Sequence, residues 1–404
     1  MTTNRVFSQF NIYLMSTAFA GIGAAMQQLL IGWLLVGILL LPAHEVGIIQ
    51  AAIAIPGIFL LLWGGAKADR SDPRFILFVG YLFAWTFPLA LLALAKTNLL
   101  TIWTVAIFGL LMSIATSFTS PAQQSLLTRV AAKNIQRGVT LVTGLGFLVQ
   151  ILGFSLAGQL ETIGMTHVLV LQSTALLLTA ITASAITPAT TRISDKTKTS
   201  TLTHIAEGLS AAARNNIILN TLLITFISGV FNAGAFLTAI PFIVKRVYEG
   251  NAMSFAMVMA VFYTGAAISN LVQYWLMPLR KPGFWFLILQ LSRILILFFV
   301  WIQPSWGWLL VILFTWGLNM GVTTNLSRAI VQEASESEFL GRILSVYSIG
   351  LMGSIPIGAL IIGYVIEAFG TMSAMLPGMF LSGIVFIYGY IFTNIPSYHS
   401  PDSD

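Results

Sequence analysis

The sequence lacks cysteine altogether, and it is poor in charge. Without cysteine, the chain has no disulfide bond, zinc finger or thiol chemistry, and nothing indicates the redox compartment. Only 8% of its 404 residues are charged, whereas 57% are hydrophobic and the mean hydropathy is +0.90. A water-soluble domain does not need this much apolar surface, so we expect the chain to lie in a lipid bilayer.

The apolar runs match the length of membrane-crossing helices. A helix rises about 1.5 Å per residue, so about 20 apolar residues cross a hydrocarbon core of about 30 Å. Twelve such runs predict an all-α membrane protein of twelve transmembrane helices, without a second soluble domain such as an ATPase. The predicted spans cover residues 10–41, 46–66, 75–95, 100–127, 138–160, 166–187, 217–244, 252–279, 284–302, 306–327, 343–366 and 373–394.

Basic residues are distributed unevenly between the two sides of these spans. If the N-terminus is cytoplasmic, fifteen lysines and arginines fall in the inner loops, whereas only Lys96, Lys245 and Arg246 fall outside. The positive-inside rule then predicts that both termini are cytoplasmic and that the number of spans is even. The first apolar run, from near Phe10 to about Leu41, is too long for the core of a signal peptide.

A long polar stretch separates the sixth and seventh spans and divides the chain into halves. Within it, Leu202, Ile205, Leu209 and Ala212 share one helical face, which is typical of a short amphipathic helix on a membrane surface. A connector without regular structure is the alternative. We therefore expect two six-helix bundles joined by a cytoplasmic linker, with boundaries at residues 1–187, 188–216 and 217–404.

An internal repeat relates the two halves. The segment that enters the fifth span, SPAQQSLLTRVAAKNIQRGVTL, parallels the segment that enters the eleventh, NLSRAIVQEASESEFLGRILSV. Two like-oriented halves predict a pseudo-twofold axis along the membrane normal and a cavity between the halves, the geometry used for alternating access. The matched residues, 205 or 206 positions apart, are Arg137 with Arg342, Gly153 with Gly358, Gly158 with Gly363, Glu161 with Glu367 and Gly164 with Gly370.

The loop after the second span reads GGAKADRSDPR and contains Gly65, Asp69, Arg70 and Arg74. Glycine permits close helix contact, an aspartate can face a helix N-terminus, and arginines can pair with carboxylates or carbonyls. The loop resembles the cytoplasmic signature between the second and third helices of the major facilitator superfamily. That resemblance implies a cytoplasmic gate formed by this cluster and the helix that begins at Arg342. A solvated basic loop is the alternative.

Two further stretches resemble branches of the same superfamily. The fifth span, with Gly144, Gly146, Gly153 and Gly158, looks like the glycine-rich stretch of the antiporter branch, although plain helix packing explains these glycines equally well. The run QEASESEFLGRILSVYSIGLMGSIPIGALIIGYVIEAFG resembles the drug and siderophore exporter branch that includes enterobactin exporters. The chain departs from the family pattern where the family has glycine, a basic residue and proline, at Asp72, Pro73 and Phe154.

The resemblance implies a function as well as a fold. It implies a monomeric secondary active transporter of the bacterial inner membrane that moves a small molecule by alternating access. Efflux of a drug-like or siderophore-like compound with proton antiport is the leading expectation. The chain is then not an enzyme, and we expect no catalytic residues, no metal and no cofactor. An ion gradient drives transport, the only partners are the substrate and the bilayer, and nucleic acid is not bound.

Polar side chains inside the spans indicate where a substrate could bind, because each costs free energy in hydrocarbon unless it finds a partner or faces water. Gln27 and Gln28 lie at mid-depth in the first span, Gln150 in the fifth, Asn232 in the seventh and Asn319 in the tenth. In the resembled family, the first, fourth, seventh and tenth helices line the cavity. These amides therefore predict a mid-membrane site, with hydrogen bonds between helices as the alternative.

Arg293 is the costliest of the intramembrane residues. It lies near the centre of the ninth span, where an arginine costs about 2.5 to 3.5 kcal/mol on insertion scales. No acidic residue lies at that depth in any predicted span, so a proton carrier is not identifiable. Arg293 therefore either holds neutral groups such as Gln290, one turn away, or meets an anionic substrate.

Other functions remain open at this point. An importer or flippase of an anionic or lipid-like solute would also use Arg293, and a non-transporting receptor or scaffold would need no pathway. An intramembrane enzyme is disfavoured, because the sequence contains neither HExxH nor GxSxG.

Overall fold

A computed structural model of the chain describes residues 2–131, 135–187, 201–276 and 279–400. Within these ranges every regular element is helical. The α-helices are α1 (Thr2–Trp33), α2 (Ala43–Arg70), α3 (Pro73–Ala84), α4 (Thr86–Lys96), α5 (Ile102–Ala131), α6 (Ile135–Gly158), α7 (Leu160–Ser184), α8 (Thr201–Arg214), α9 (Asn216–Ser228), α10 (Gly234–Phe242), α11 (Ala252–Leu276), α12 (Pro282–Trp301), α13 (Trp306–Ala334), α14 (Leu340–Phe369) and α15 (Met375–Ile391).

Twelve helical segments in the described ranges are long and apolar enough to cross a membrane, which confirms the predicted all-α fold. Helices suit lipid because each satisfies its own backbone hydrogen bonds. α3 and α4 together form the third segment, and α9 and α10, with π-helical turns, form the seventh. The segments are Gln9–Ile38, Ala43–Leu61, Pro73–Lys96, Ile102–Ala131, Leu141–Gly158, Leu160–Ser184, Asn216–Val247, Ala252–Gln273, Pro282–Trp301, Trp306–Ala334, Leu340–Phe369 and Thr371–Ile391.

Local chemistry sets where several helices begin. Asp72 caps α3 by accepting a hydrogen bond from the backbone N–H of Arg74 over 3.0 Å, and Pro73 occupies the first turn. Asn215 caps α9 by accepting the N–H groups of Ile217 and Ile218. The departure at Asp72 from the resembled motif thus has a structural role, because a glycine there would provide no capping side chain.

Two compact units make up the chain. The first comprises Met1–Leu40, Ala52–Lys198 and Gly250–Ala260. The second comprises Leu41–Ala51, Thr199–Glu249 and Val261–Asp404. The boundaries at 187 and 217 that the sequence suggests stay a prediction.

The first unit is organised around α1, which packs against α6 and α7, while α3 packs against α5 and α7. Trp33 at the end of α1 is fully buried. Its indole N–H donates to Oε1 of Glu161 over 3.0 Å, and its ring stacks on Phe255 with centroids 5.9 Å apart. Glu161, one of the two glutamates that the repeat pairs, therefore accepts a hydrogen bond from an indole.

The second unit packs α12 against α13 and α15, α13 against α9, and α14 against α10 and α8. One buried cluster joins α9, α12 and α13 through Ile224, Leu287 and Leu326. This packing brings one face of α12 toward α9 and α13, and that face carries Arg293.

Glycines of the predicted repeat occupy equivalent places in the two units. A Cβ atom at Gly153 of α6 would lie 2.6 Å from the Cβ of Ala25 in α1. A Cβ at Gly358 of α14 would similarly meet the Cα of Gly234 at 2.7 Å, at the start of α10. Farther along, Gly164 and Gly370 both have positive φ angles, of 84° and 90°, a region that side chains other than glycine rarely adopt.

The amphipathic segment between the halves forms α8. Its residue Ala212 is fully buried in a cluster with Ile343 and Tyr347 of α14, whereas Leu209 is exposed. Gly208 allows close contact, because a Cβ there would lie 2.6 Å from the carbonyl oxygen of Arg342. α8 thus docks on α14, and its placement on a membrane surface stays a prediction.

Candidate functional site

The guanidinium of Arg293 is the centre of a buried polar network in the second unit. Its side chain is only 6% exposed. Nε donates to Oδ1 of Asn319 over 2.7 Å, and Nη1 donates to Oε1 of Gln290 over 2.7 Å. Nη2 donates to the hydroxyl of Thr323 over 2.6 Å. Of the two interpretations that the sequence leaves open, the network of neutral partners is therefore present, and Gln290 belongs to it.

A second layer of hydrogen bonds fixes these partners. The amide nitrogen of Asn319 donates to the carbonyl of Leu289 and to the hydroxyl of Ser292, both over 2.9 Å. The Oε1 atom of Gln290 also accepts the hydroxyl of Ser228 over 2.8 Å. Because Ser228 ends α9, three helices are joined around the cation. The orientation of the guanidinium is thereby set before any ligand arrives.

The guanidinium of Arg293 is hydrogen-bonded, but its positive charge is not neutralised. Its three partners are amide and hydroxyl oxygens, and none of the ion pairs found in the described part of the chain includes it. A guanidinium has five N–H donors, so two remain, one on each terminal nitrogen. A buried cation without a counter-ion costs free energy, and for this reason an intramembrane arginine indicates a functional site.

A cavity of about 350 Å³ lies beside this network, and all its lining residues belong to the second unit. Asn232 reaches it from a π-helical turn, Gly229–Ala233, within the seventh segment. Such turns widen a helix locally and are frequent at functional sites. Gln290 and Arg293, three residues apart on α12, line the cavity on their shared helical face.

Aromatic side chains form the apolar wall of the same cavity. Phe236 of α10 and Phe262 of α11 stack with ring centroids 3.8 Å apart. Trp316 of α13 meets Phe236 edge-on, with centroids 5.4 Å apart. Tyr263 and Phe286 complete this wall. The cavity thus combines one cation, several neutral polar groups and flat apolar surfaces, which is the usual composition of a small-molecule site.

Three buried polar atoms of cavity-lining residues have no hydrogen-bond partner among the described residues. They are Oδ1 of Asn232, Nε2 of Gln290 and the hydroxyl of Thr225. Buried polar groups are nearly always paired in proteins, so such a cluster indicates missing partners. It offers one strong acceptor, one donor and one hydroxyl to a bound molecule.

The six cavity residues expected from the sequence separate between the two units. Asn232 and Arg293 line the cavity, whereas Asn319 does not line it but accepts a hydrogen bond from Arg293. In the first unit, Gln27 accepts a hydrogen bond from Nε2 of Gln172 over 2.8 Å, and Gln28 and Gln150 are half-buried on α1 and α6. Gln27 therefore forms a hydrogen bond between two helices, which is the alternative that the sequence left open for these amides.

Sequence reasoning missed Thr323, Ser228 and Gln172. Thr323 lies one turn after Asn319 on the same face of α13, a spacing that could have pointed to it. Gln172 is fully buried in α7, and as an amide within an apolar span it could have been selected on the same grounds as Gln150. Ser228 had no comparable signal, because an isolated serine is common in transmembrane helices.

Comparison with known families places the chain. A family model described as "Transmembrane secretion effector", of the major facilitator type, matches residues 4–403. The chain belongs to this family. It is therefore a multi-pass membrane protein and a transporter of the major facilitator type. A search of curated proteins finds no match.

Solved structures of several transporters share the fold of this family member. The nucleoside transporter NupG is similar at a TM-score of 0.71 and 12% identity, over 98% of this chain and 100% of that chain. A bacterial homologue of the iron transporter ferroportin gives 0.72 and 12%, over 97% and 100%. A peptide transporter of the POT family gives 0.71 and 12%, over 95% and 96%. At these identities the likeness concerns the fold alone.

Two of the gate residues implied by the family resemblance, Arg74 and Arg342, form ion pairs. Arg74 pairs with Asp72 at 2.5 Å and donates to the carbonyl of Ile186 over 2.6 Å. Arg342 pairs with Glu207 of α8 at 3.2 Å and lies over the ring of Phe339. The surroundings of Gly65 and the side chains of Asp69 and Arg70 lie outside the described part of the structure. A cytoplasmic gate formed by these five residues stays a prediction.

The electrostatics at Asp72 follow from these contacts. Partial burial alone would raise the pKa of its carboxyl, but hydrogen bonds from Arg74 and the positive charges of Arg74 and Arg129 outweigh burial and lower the pKa below its ordinary value. The carboxyl therefore stays ionised and keeps both its cap and its ion pair at neutral pH.

Proposed function

We propose that this transporter exports a small amphipathic molecule from the cytoplasm across the bacterial inner membrane by alternating access. The observation that carries the proposal is the cavity in the second unit, which is lined by aromatic side chains and by the Arg293 network. Flat apolar surfaces favour a substrate with ring systems, and the polar side fixes its orientation.

The family description supports the outward direction, because it names secretion. The resemblance of the eleventh span to drug and siderophore exporters supports the same direction. The excess of basic residues in the loops assigned to the inside supports cytoplasmic termini. Rocking of two halves, residues 1–187 and 217–404 around the linker 188–216, is the motion that we propose for the transport cycle.

Proton antiport is the coupling that we propose for export. All thirteen acidic residues lie outside the middle of the spans, so the proton carrier is sought at their ends. Glu161 and Glu367, which the repeat pairs, are our candidates for the carrier. Glu161 accepts a hydrogen bond from the indole N–H of Trp33, and Glu367 accepts one from the backbone N–H of Ala43 over 3.0 Å. A carboxylate that alternates between such partners and water can bind and release a proton.

The proposal is tested by drug accumulation in a bacterial strain that lacks its own efflux pumps. Cells expressing the wild-type chain should accumulate less of at least one amphipathic dye or antibiotic from a panel than cells with an empty vector. Deletion of the gene in its own host should raise susceptibility to a panel compound or lower secreted siderophore. Equal accumulation across the panel, together with unchanged susceptibility and secretion, would refute export. Net inward movement would favour the importer.

A further inference from the structure

The Arg293 network restricts the kind of molecule that the cavity accepts. We propose that its ligand is a planar aromatic monoanion whose carboxylate pairs with Arg293, and that this is the substrate class of the transporter. The inference rests on the proposed transport function, but its test is binding and does not depend on direction or coupling.

The charge of the ligand follows from the unneutralised cation. Arg293 retains one N–H on each terminal nitrogen after its three hydrogen bonds to neutral oxygens. Two N–H groups are what a carboxylate accepts in a bidentate pair. The unpartnered Nε2 of Gln290 adds a further donor beside them. An anion would thus neutralise the buried charge, whereas a cation would be repelled and a neutral group would leave the charge uncompensated.

The aromatic character of the ligand follows from the aromatic side chains that line the cavity. The stacked rings of Phe236 and Phe262 and the edge of Trp316 border the same cavity as Arg293. Flat rings pack on such surfaces by offset stacking or edge contacts. A volume of about 350 Å³ is at the lower end of the range for ligand sites, which suits one or two fused rings rather than a lipid.

The unpartnered Oδ1 of Asn232 indicates a third feature. Its amide nitrogen already donates to the carbonyl of Ser228 over 3.0 Å, so the oxygen is the group left to bind a ligand. An acceptor of this kind pairs with a hydroxyl or an N–H of the ligand. An aromatic acid that also carries a ring hydroxyl would therefore pair with Arg293, pack on the aromatic side chains and bind Oδ1 of Asn232.

The test uses the full chain, purified in detergent, with two probes of nearly identical shape, 3-hydroxy-2-naphthoate and 3-hydroxy-2-naphthamide. Titration calorimetry gives each affinity, and thermal unfolding gives an independent measure of binding. We expect the acid to bind at least about tenfold more tightly than the amide, because only the acid neutralises Arg293. Arg293→Gln should abolish this preference, and Arg293→Lys should retain part of it.

The control is Asn325→Ala. Asn325 donates to Asn270 over 2.6 Å in the same unit, and neither residue lines the cavity. This variant loses a half-buried hydrogen bond and should keep the wild-type preference for the acid. A loss of preference in Asn325→Ala equal to that in Arg293→Gln would assign the effect to general destabilisation and contradict the site.

Equal affinities of the wild type for acid and amide, or failure of the wild type to bind either, would overturn the proposal. This comparison needs no variant, so it decides the matter even if Arg293→Gln fails to fold. If the acid binds selectively but no export is found, the proposed function falls and the ligand class stands. If export of neutral dyes is found without selective binding, the ligand class falls alone.

Discussion

The amide oxygen of Asn319 accepts a hydrogen bond from Nε of Arg293 over 2.7 Å, so the cation of α12 is held by an uncharged residue of α13. An aspartate at that position would have nearly the same shape and would neutralise the guanidinium. With asparagine, the orientation of Arg293 is fixed while its positive charge remains available to a ligand.

Asn319→Asp should therefore weaken ligand binding. We expect about tenfold weaker binding of 3-hydroxy-2-naphthoate, because the buried cation gains a counter-ion. The unfolding temperature of the ligand-free protein should change little, because the new ion pair is offset by loss of the hydrogen bond that the Asn319 amide donates to the carbonyl of Leu289. Thermal unfolding and calorimetry measure the two effects. Unchanged or tighter binding of the acid would contradict the role assigned to the charge. Asn319→Leu, which removes the acceptor altogether, should destabilise the protein by about 1–3 kcal/mol.

Close helix contact at the repeat glycines predicts two matched comparisons. Gly153→Ala should lower the unfolding temperature, since the new Cβ would lie within contact distance of Ala25 and overpacking costs about 1–3 kcal/mol. Gly146→Ala, on the same helix with open space around it, should be neutral or stabilising by up to about 1 kcal/mol.

The second comparison is on α14. Gly358→Ala should destabilise in the same way, and Gly353→Ala, which also faces open space, should not. Thermal unfolding in detergent measures the stability of each variant. If the two variants on one helix change the unfolding temperature equally, the close helix contact at the repeat glycine does not account for the loss of stability.

Asp72 predicts a pH dependence. A carboxyl with a lowered pKa stabilises the folded state above its unfolded pKa, near 3.9, and this stabilisation is lost as the pH falls through the lower, folded value. Asp72→Asn should thus be slightly less stable than the wild type at neutral pH, and the difference should begin to shrink below about pH 4 and vanish once the pH is below the folded pKa. Asp72→Ala also loses the cap and should cost about 1 kcal/mol more. A difference that persists in acid would contradict the ion pair.

Export of a monoanion predicts a response to membrane potential. An inside-negative potential favours outward movement of one negative charge by about 2.3 kcal/mol per 100 mV. In proteoliposomes, a potassium diffusion potential that is negative on the cytoplasmic side should accelerate transport of 3-hydroxy-2-naphthoate. Added stimulation by an inward proton gradient would support antiport. A rate indifferent to the potential would contradict net movement of negative charge.

The fold was largely predictable from the sequence, because membrane helices are specified by length and hydropathy. Twelve segments in the described ranges match the twelve apolar runs, and their ends differ where a helix continues into a more polar stretch, as α13 does to Ala334. The equivalent contacts of Gly153 and Gly358 also follow from the repeat. The docking of α8 on α14 did not, because an amphipathic face indicates burial without naming the partner.

The site was predictable only in part. The cost of a central arginine singled out Arg293, and its spacing from Gln290 indicated one partner. The hydroxyl of Thr323 and the aromatic wall of Phe236 and Phe262 could not be selected, since such residues occur throughout the spans and only packing decides which share a cavity. For the same reason Gln27, an equally polar signal, is bonded to Gln172 in the first unit.

Alternating exposure of the cavity is the central claim, and the natural lack of cysteine makes it directly testable. Thr324 lines the cavity and is exposed, so Thr324→Cys places one unique thiol there. A membrane-impermeant maleimide, applied to intact cells and to inverted vesicles, should label it from both sides, and Ser337→Cys and Gln303→Cys should each be labelled from one side only. Labelling of Thr324→Cys from a single side under every condition would contradict the account.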